Sequence, residues 1–232
     1  MALPRYLALT SEEFAACASL PPRMAWMACH FSPYGTGLVN LPPALPPGAM
    51  VILNDRIPPA GHDPETVLRQ LRQLSPACML LDFQQPPNSA ALELTRQIVD
   101  ALPCPVGVTA AWGRDLRCSL FLPPPPPDIP LAEHLAPWNG REIWLELGLD
   151  AMTYTVTGQG SSPGALAAIP ETGLEDSHLR CHYRIDLFDD RAVFSLWRTQ
   201  QDLDALLEEA QQLGVTKAIG LWQELGPASR SV

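Results

Sequence analysis

The chain has 232 residues, 47% of them hydrophobic, and a formal net charge of -10. That is enough apolar material for one sizeable core in a single domain over residues 1–232, and the acidic balance argues against nucleic acid and against anionic membrane, which both want a basic surface. Six dispersed cysteines make no C-x-x-C pair and no apolar run approaches a bilayer span, so we expect buried thiols, no metal, no cofactor and a reducing, cytoplasmic setting.

In chain order, Thr10-Ser11-Glu12-Glu13 has N-cap character and starts a short helix that ends before Pro21 and Pro22. Arg23 to Phe31 is the first expected buried strand, with His30 at its exit, and Ala49 to Leu53 the second, leaving Asn54 and Asp55 at its end. Asp63-Pro64-Glu65 caps a helix with Val67, Leu68, Leu71 and Leu74 at helical spacing. Ala77 to Leu81 is the third strand. It stops in Asp82, Phe83 and Gln84, breaks on Pro86-Pro87, and precedes a helix over Asn88 to Leu102. Cys104 to Ala111, ending in Trp112, and Cys118 to Leu122 follow. The chain then enters a proline tract; its 26 prolines are about twice the usual ~5% share, cluster after apolar runs, and read as stiff strand-exit loops.

Glu142 to Leu149 and Ala151 to Thr157 are strand-like and split at Asp150, whereas Gly158 to Ser177 is polar, poorly periodic and read as a loop. Residues 181–197 alternate around Asp189-Asp190-Arg191 as a β-hairpin. Gln200 to Leu213 has the clearest helical stripe, with Gly214 as its stop, and Thr216 to Trp222 is the last strand. Strand and helix alternate over most of the length, which predicts an α/β fold with parallel pairing and right-handed crossovers. About eight strands favour an irregular (β/α)8 TIM barrel carrying the hairpin as an insertion.

A barrel gathers its site residues at strand carboxyl ends. His30, Asn54, Asp55, Asp82, Gln84, Trp112, Glu146, Asp150, Trp222 and Glu224 fall there. Carboxylates and amides bind hydroxyls and flat indoles pack on sugar rings, so the combination suits a sugar; a small glycan or glycopeptide ligand is the expectation once the resemblance below is added. Each residue has a plainer role as well: Asp82 could pair with Arg96 or cap the next helix, Asp55 could pair with Arg56, and His30 could bond backbone. There is no serine-hydrolase elbow, phosphate loop or dinucleotide fingerprint.

Leu80 to Pro86, LLDFQQP, resembles the fourth-strand signature of family 18 glycoside hydrolases, the chitinase-like barrels, which reads D-x-x-D-x-D-x-E followed by an aromatic residue and proline. Leu187 to Gly226 is similar to that family's final unit, and Arg141 to Thr155 to its seventh strand, although Met152-Thr153-Tyr154 also matches the sixth. The resemblance implies that Asp82 orients a substrate acetamido group, that Trp222 floors a sugar subsite, and that Tyr154 belongs to the ligand-contacting set. It places Gln84 on the glutamate that acts as general acid, and Ala77 and Leu80 on the two earlier aspartates. A glutamine has no proton to give, and general acid catalysis is worth about 10²–10⁴-fold. Two readings stay open: a glycan-binding barrel without its acid, or a glycoside hydrolase whose carboxylates are drawn from Asp55, Asp82, Glu146 and Glu224. A scaffold without a ligand is the third.

Overall fold

The computed structural model describes residues 2–59 and 61–226. Its elements in order are β1 (Arg5–Leu9), α1 (Ser11–Ala16), β2 (Met24–Phe31), β3 (Leu38–Val39), β4 (Met50–Asn54), α2 (Pro64–Leu74), β5 (Cys78–Asp82), α3 (Ser89–Ala101), β6 (Val106–Thr109), α4 (Ala110–Gly113), β7 (Ser119–Leu122), α5 (Leu131–Leu135), β8 (Ile143–Leu147), β9 (Ala151–Thr157), β10 (Gly160–Ala165), β11 (Leu174–Asp176), β12 (Cys181–Leu187), β13 (Arg191–Trp197), α6 (Gln200–Gln212), β14 (Lys217–Leu221) and α7 (Trp222–Leu225). They form two compact units, one built on Pro4–Leu122, Arg141–Glu146 and the chain from Thr216, the other on Pro123–Gly140 and Leu147–Val215.

The first unit is the barrel. Its strands run β1-β14-β8-β7-β6-β5-β4-β2, and β2 pairs back in parallel with β1 to close the ring. This is the expected irregular (β/α)8 TIM barrel. The strands are near-continuous apolar runs because both faces are buried. Tyr6, Ala8, Met50, Ile52, Cys78, Leu80, Phe121, Trp144 and Ile219 pack inside, while Val51, Leu53, Met79 and Leu81 pack outward with Val67, Leu71, Leu94 and Ile98 of α2 and α3. Asp63 and Asn88 cap those helices, accepting from the N–H of Thr66 and Ala91 at 3.0 Å each.

The barrel is irregular where the sequence lacks helical periodicity. Between β6 and β7 only one helical turn forms. The loop after it is stapled by Arg141, whose guanidinium donates to the carbonyls of Gly113, Arg114, Leu116 and Cys118 at 2.6–3.3 Å. One fan of donors thus satisfies carbonyls that a longer helix would have bonded internally.

Two expectations are corrected. The barrel begins one strand earlier than expected, at β1, which is only five residues long and lies directly before the capping box of Thr10 and Glu13. Counting from β1 makes β5 the fourth barrel strand, β8 the seventh and β14 the eighth. Gly158 to Ser177 is not a plain loop, since it contributes β10 and β11.

The second unit is an antiparallel sheet in the order β10-β9-β13-β12-β11. The expected hairpin is present as β12 and β13, inside this larger sheet. Ala151 to Thr157 is its β9 strand and follows the seventh barrel strand. Arg198 is buried and donates to the carbonyls of Pro125, Pro126 and Arg180. Prolines offer acceptors without N–H donors, so a run of them needs such a partner to be buried. The capping box of α6 joins Thr199 to Asp202, whose Oδ2 also meets His182 Nδ1 at 2.8 Å.

Candidate functional site in the barrel mouth

At the carboxyl end of the barrel strands, His30, Asn54 and Asp82 occupy one row, because β2 pairs His30 with Asn54 and β4 pairs Asn54 with Asp82. Below and beside that row lies a small cavity of about 70 Å³, lined by Asn54, Asp82 and Glu146 among the apolar side chains of Met27, Leu80 and Phe121. A cavity of about 10–15 Å³ already admits one water. The cavity therefore has room for a small group beside these three polar side chains.

Each polar group at this end has definite partners. The register of β2 against β4 shifts between Trp26 and Cys29, a bulge that interrupts the ladder. Asn54 repairs it, its amide donating to the carbonyls of Met27 (3.3 Å) and Cys29 (3.1 Å) while its oxygen accepts the Arg56 N–H at 3.1 Å. His30 sets Nδ1 against the Phe31 carbonyl (2.8 Å) and Nε2 against the Asn40 amide (3.1 Å). A carbonyl can only accept, so Nδ1 is the donor of the first of these bonds.

Asp55 is 3% exposed, and both its oxygens are committed, Oδ1 to the Gln84 N–H (2.9 Å) and Oδ2 to the Gln85 N–H (2.8 Å). The Gln85 side chain returns a bond to the Asp55 carbonyl at 2.9 Å. No ion pair with Arg56 is needed to explain this acid. It fixes the loop that carries Gln84, and so acts as a positioning residue. Trp112 is 2% exposed, donates its indole N–H to the Gln85 carbonyl at 2.9 Å and packs edge-on to Phe83 with ring centroids 5.1 Å apart. It closes the same loop from below.

Gln84 points its amide at Asp82, Nε2 to Oδ1 at 2.5 Å. The alternatives for Asp82 are absent: Arg96 pairs with Glu93, and Asn88 caps α3. Burial pushes the Asp82 carboxyl above the ordinary aspartate value, the Gln84 amide pulls it back, and the nearby Asp55 charge pushes it up. The folded chain therefore holds the Asp82 proton more tightly than the unfolded chain. The stability this carries is complete below the ordinary value of 3.8 and is lost as pH rises through the higher folded value. Asp82→Asn is expected to raise the melting temperature at pH 7 and to leave it unchanged below about pH 4; melting curves of both proteins across that range check this.

Trp222 opens α7 and packs half-buried against the outer core, and Glu224 lies two residues further along the same turn. Neither is among the residues lining the cavity. Tyr154 belongs to the antiparallel sheet, where its hydroxyl donates to Asp128 at 2.8 Å. Of the expected site residues, Asn54, Asp82 and Glu146 line one cavity, with Gln84 bonded to Asp82. Phe121 and Met27, which shape that cavity, carry no polar signal and were found only by folding the ring.

Among the described residues no group of three or more His, Cys, Asp or Glu is placed to hold a metal ion, and no helix is long and apolar enough to cross a membrane. All six cysteines are unpaired, and burial pushes the Cys29 thiol up to about 12 and those of Cys118 and Cys181 up to about 11. Thiols so shifted are not nucleophiles near neutrality.

A closed ring of eight parallel strands with polar residues gathered at its carboxyl end belongs to the class of TIM-barrel folds. No family model and no curated protein matches the sequence. Solved structures do match. A chitinase from Chromobacterium violaceum superposes with a TM-score of 0.60 at 10% identity, covering 99% of this chain and 98% of that one. The class V chitinase of Nicotiana tobaccum in complex with NAG4 gives 0.56 at 9% identity, covering 100% and 99%. The spore cortex-lytic enzyme SleL of Bacillus cereus gives 0.56 at 11%, covering 94% and 70%. The fold is thus the chitinase-like barrel of family 18 glycoside hydrolases.

Proposed function

We propose that the barrel mouth binds an amino-sugar glycan or glycopeptide and does not hydrolyse it by the route the fold's relatives suggest. The observation that carries this reading is Gln84. At the exit of the fourth barrel strand, where the resemblance expects a general acid, stands an amide that donates to Asp82. Such a pair recognises and orients, and it has no proton to deliver. The cavity of about 70 Å³ suits an acetamido-sized group held by Asp82 with the sugar ring above it. The six unpaired thiols fit a reducing compartment.

Titration with chito-oligosaccharides, followed by calorimetry and thermal melting, tests the proposal. Ligand at about 100 times its Kd should stabilise the protein by ~2.7 kcal/mol, or roughly 5–10 °C for a chain of this size. Asp82→Ala should abolish the shift, and no new reducing ends should appear. Absence of a shift with chito-oligosaccharides and with muropeptide fragments would refute it.

A second reading rests on Asp82 and Glu146 lining the same cavity, with the Asp82 carboxyl raised by burial. Two carboxyl groups at one site are what a glycoside hydrolase requires. Reducing-end release that is lost in both Asp82→Asn and Glu146→Gln would establish this reading over binding alone.

A further inference from the structure

The hairpin that leaves the barrel between β2 and β3 is built to hold its tip still. Strand β3 pairs back on β2 through His30 with Val39 and Phe31 with Leu38, so residues 32–37 continue past the carboxyl end of the second barrel strand. They fold into a turn closed by the Ser32 N–H on the Gly37 carbonyl (2.8 Å) and the Gly35 N–H on the Ser32 carbonyl (3.3 Å). Pro33 presets φ at the first central position of that turn, and Gly35 and Gly37 supply φ of 71° and 100°. The buried Ser32 hydroxyl accepts from the Tyr34 N–H at 3.2 Å and meets the Thr36 hydroxyl at 3.1 Å. Three anchors from outside fix the whole. His62 Nε2 meets the Ser32 carbonyl at 2.8 Å, and the Trp26 indole donates to the Asn40 carbonyl at 2.8 Å. The Gln70 side chain of α2 accepts from the Leu38 N–H (2.7 Å) and donates to the Leu38 carbonyl (3.3 Å).

What this scaffold displays is an aromatic ring. Tyr34 is 86% exposed, the highest value among the large hydrophobic side chains of the described residues. A lone exposed ring is ordinary on a surface, but this one stands on a loop bonded at both ends, on the face where barrels place their sites. Its position relative to the cavity follows from register. His30 is two strands from Asp82, about 10 Å sideways, and four residues at no more than about 3.3 Å each separate His30 from Tyr34. The Tyr34 backbone therefore lies roughly 10–17 Å from that of Asp82, past a sugar ring seated at the cavity and within reach of the outer rings of an oligosaccharide. We infer that the Tyr34 ring is a stacking platform for an outer sugar of the glycan whose inner ring is held at Asp82, which rests on the glycan-binding reading of the barrel mouth. A sugar ring has an apolar C–H face, and tyrosine offers it a large flat surface with only two χ angles to order.

Calorimetry of the full chain with the chito-disaccharide and the chito-tetrasaccharide tests this. The unaltered chain should bind the tetrasaccharide more tightly. Tyr34→Ala should weaken the tetrasaccharide about tenfold and leave the disaccharide within about twofold. Its melting temperature should not change, because the side chain stands in water. Tyr34→Phe keeps the flat face and should bind the tetrasaccharide within about twofold of the unaltered chain. An alanine variant that binds the tetrasaccharide as the unaltered chain does, or that weakens both sugars alike, overturns the inference and leaves the glycan-binding reading standing. A chain that binds neither sugar also overturns it, and the titration with muropeptide fragments then decides that reading on its own.

Discussion

Replacing Gly107 with alanine should lower the melting temperature by roughly 6–12 °C, corresponding to about 3 kcal/mol in a chain of this size. Gly107 lies on β6 between Leu80 and Ser119 of the neighbouring strands. A Cβ there would stand 2.3 Å from Cε3 and 2.6 Å from Cζ3 of Trp144, closer than any real contact. The indole cannot yield easily. It is fully buried in the barrel interior, and the Lys217 ammonium lies 4.4 Å from its ring centroid. The usual gain from Gly→Ala, about 0.4–1 kcal/mol through the unfolded chain, is too small to offset the overlap. Because the cost is a clash between two side chains, Trp144→Leu should recover part of it. The double variant is expected to be markedly more stable than the sum of the single effects requires, and a double-mutant cycle from urea unfolding measures the coupling.

Asp55→Ala is the second large effect, with an expected loss of about 3 kcal/mol. The buried carboxylate satisfies two backbone N–H groups at once, and alanine leaves both without an acceptor in a site closed by Trp112. Each orphaned donor costs about 1–3 kcal/mol. The loop also carries Gln84, so the same change should weaken glycan binding in the folded fraction. Asp82→Ala, by contrast, should remove binding with little loss of stability. Melting curves and ligand titration on the two variants separate a positioning acid from a contacting one.

The comparison of Asp55 with Asp82 shows where sequence reasoning ran out. Both are acids just past an apolar strand, and nothing local distinguishes them. In the folded ring Asp82 faces inward, in register with Asn54 and His30, whereas Asp55 sits one residue beyond its strand and turns under the next loop. The tryptophans show the same limit: Trp112 and Trp144 are both buried core residues, and only closure of the barrel tells that Trp112 packs in the outer layer and Trp144 inside the ring.

Amphipathic and capped segments were readable because their signals are local. The stripes of α2, α3 and α6, the caps at Asp63 and Thr10, and the buried runs of β2, β4 and β5 follow from propensity and hydrophobic spacing alone. The eightfold alternation that implied a barrel is likewise a pattern along the chain. Strand β10 is different: its six residues are all exposed, and it is a strand only because β9 offers it a ladder. Strand β1 is five residues with no long pattern, and it becomes a strand by bridging β2 and β14.

The sequence by itself determined the class of fold and the residue at the decisive position, Gln84, because identity at a strand exit needs no coordinates. The tertiary structure decided which polar side chains share a cavity, which are spent on backbone, and which aromatic ring stands exposed at the rim. Those outcomes depend on register and on distances between residues far apart in the chain, and hydrophobic periodicity carries no information about either.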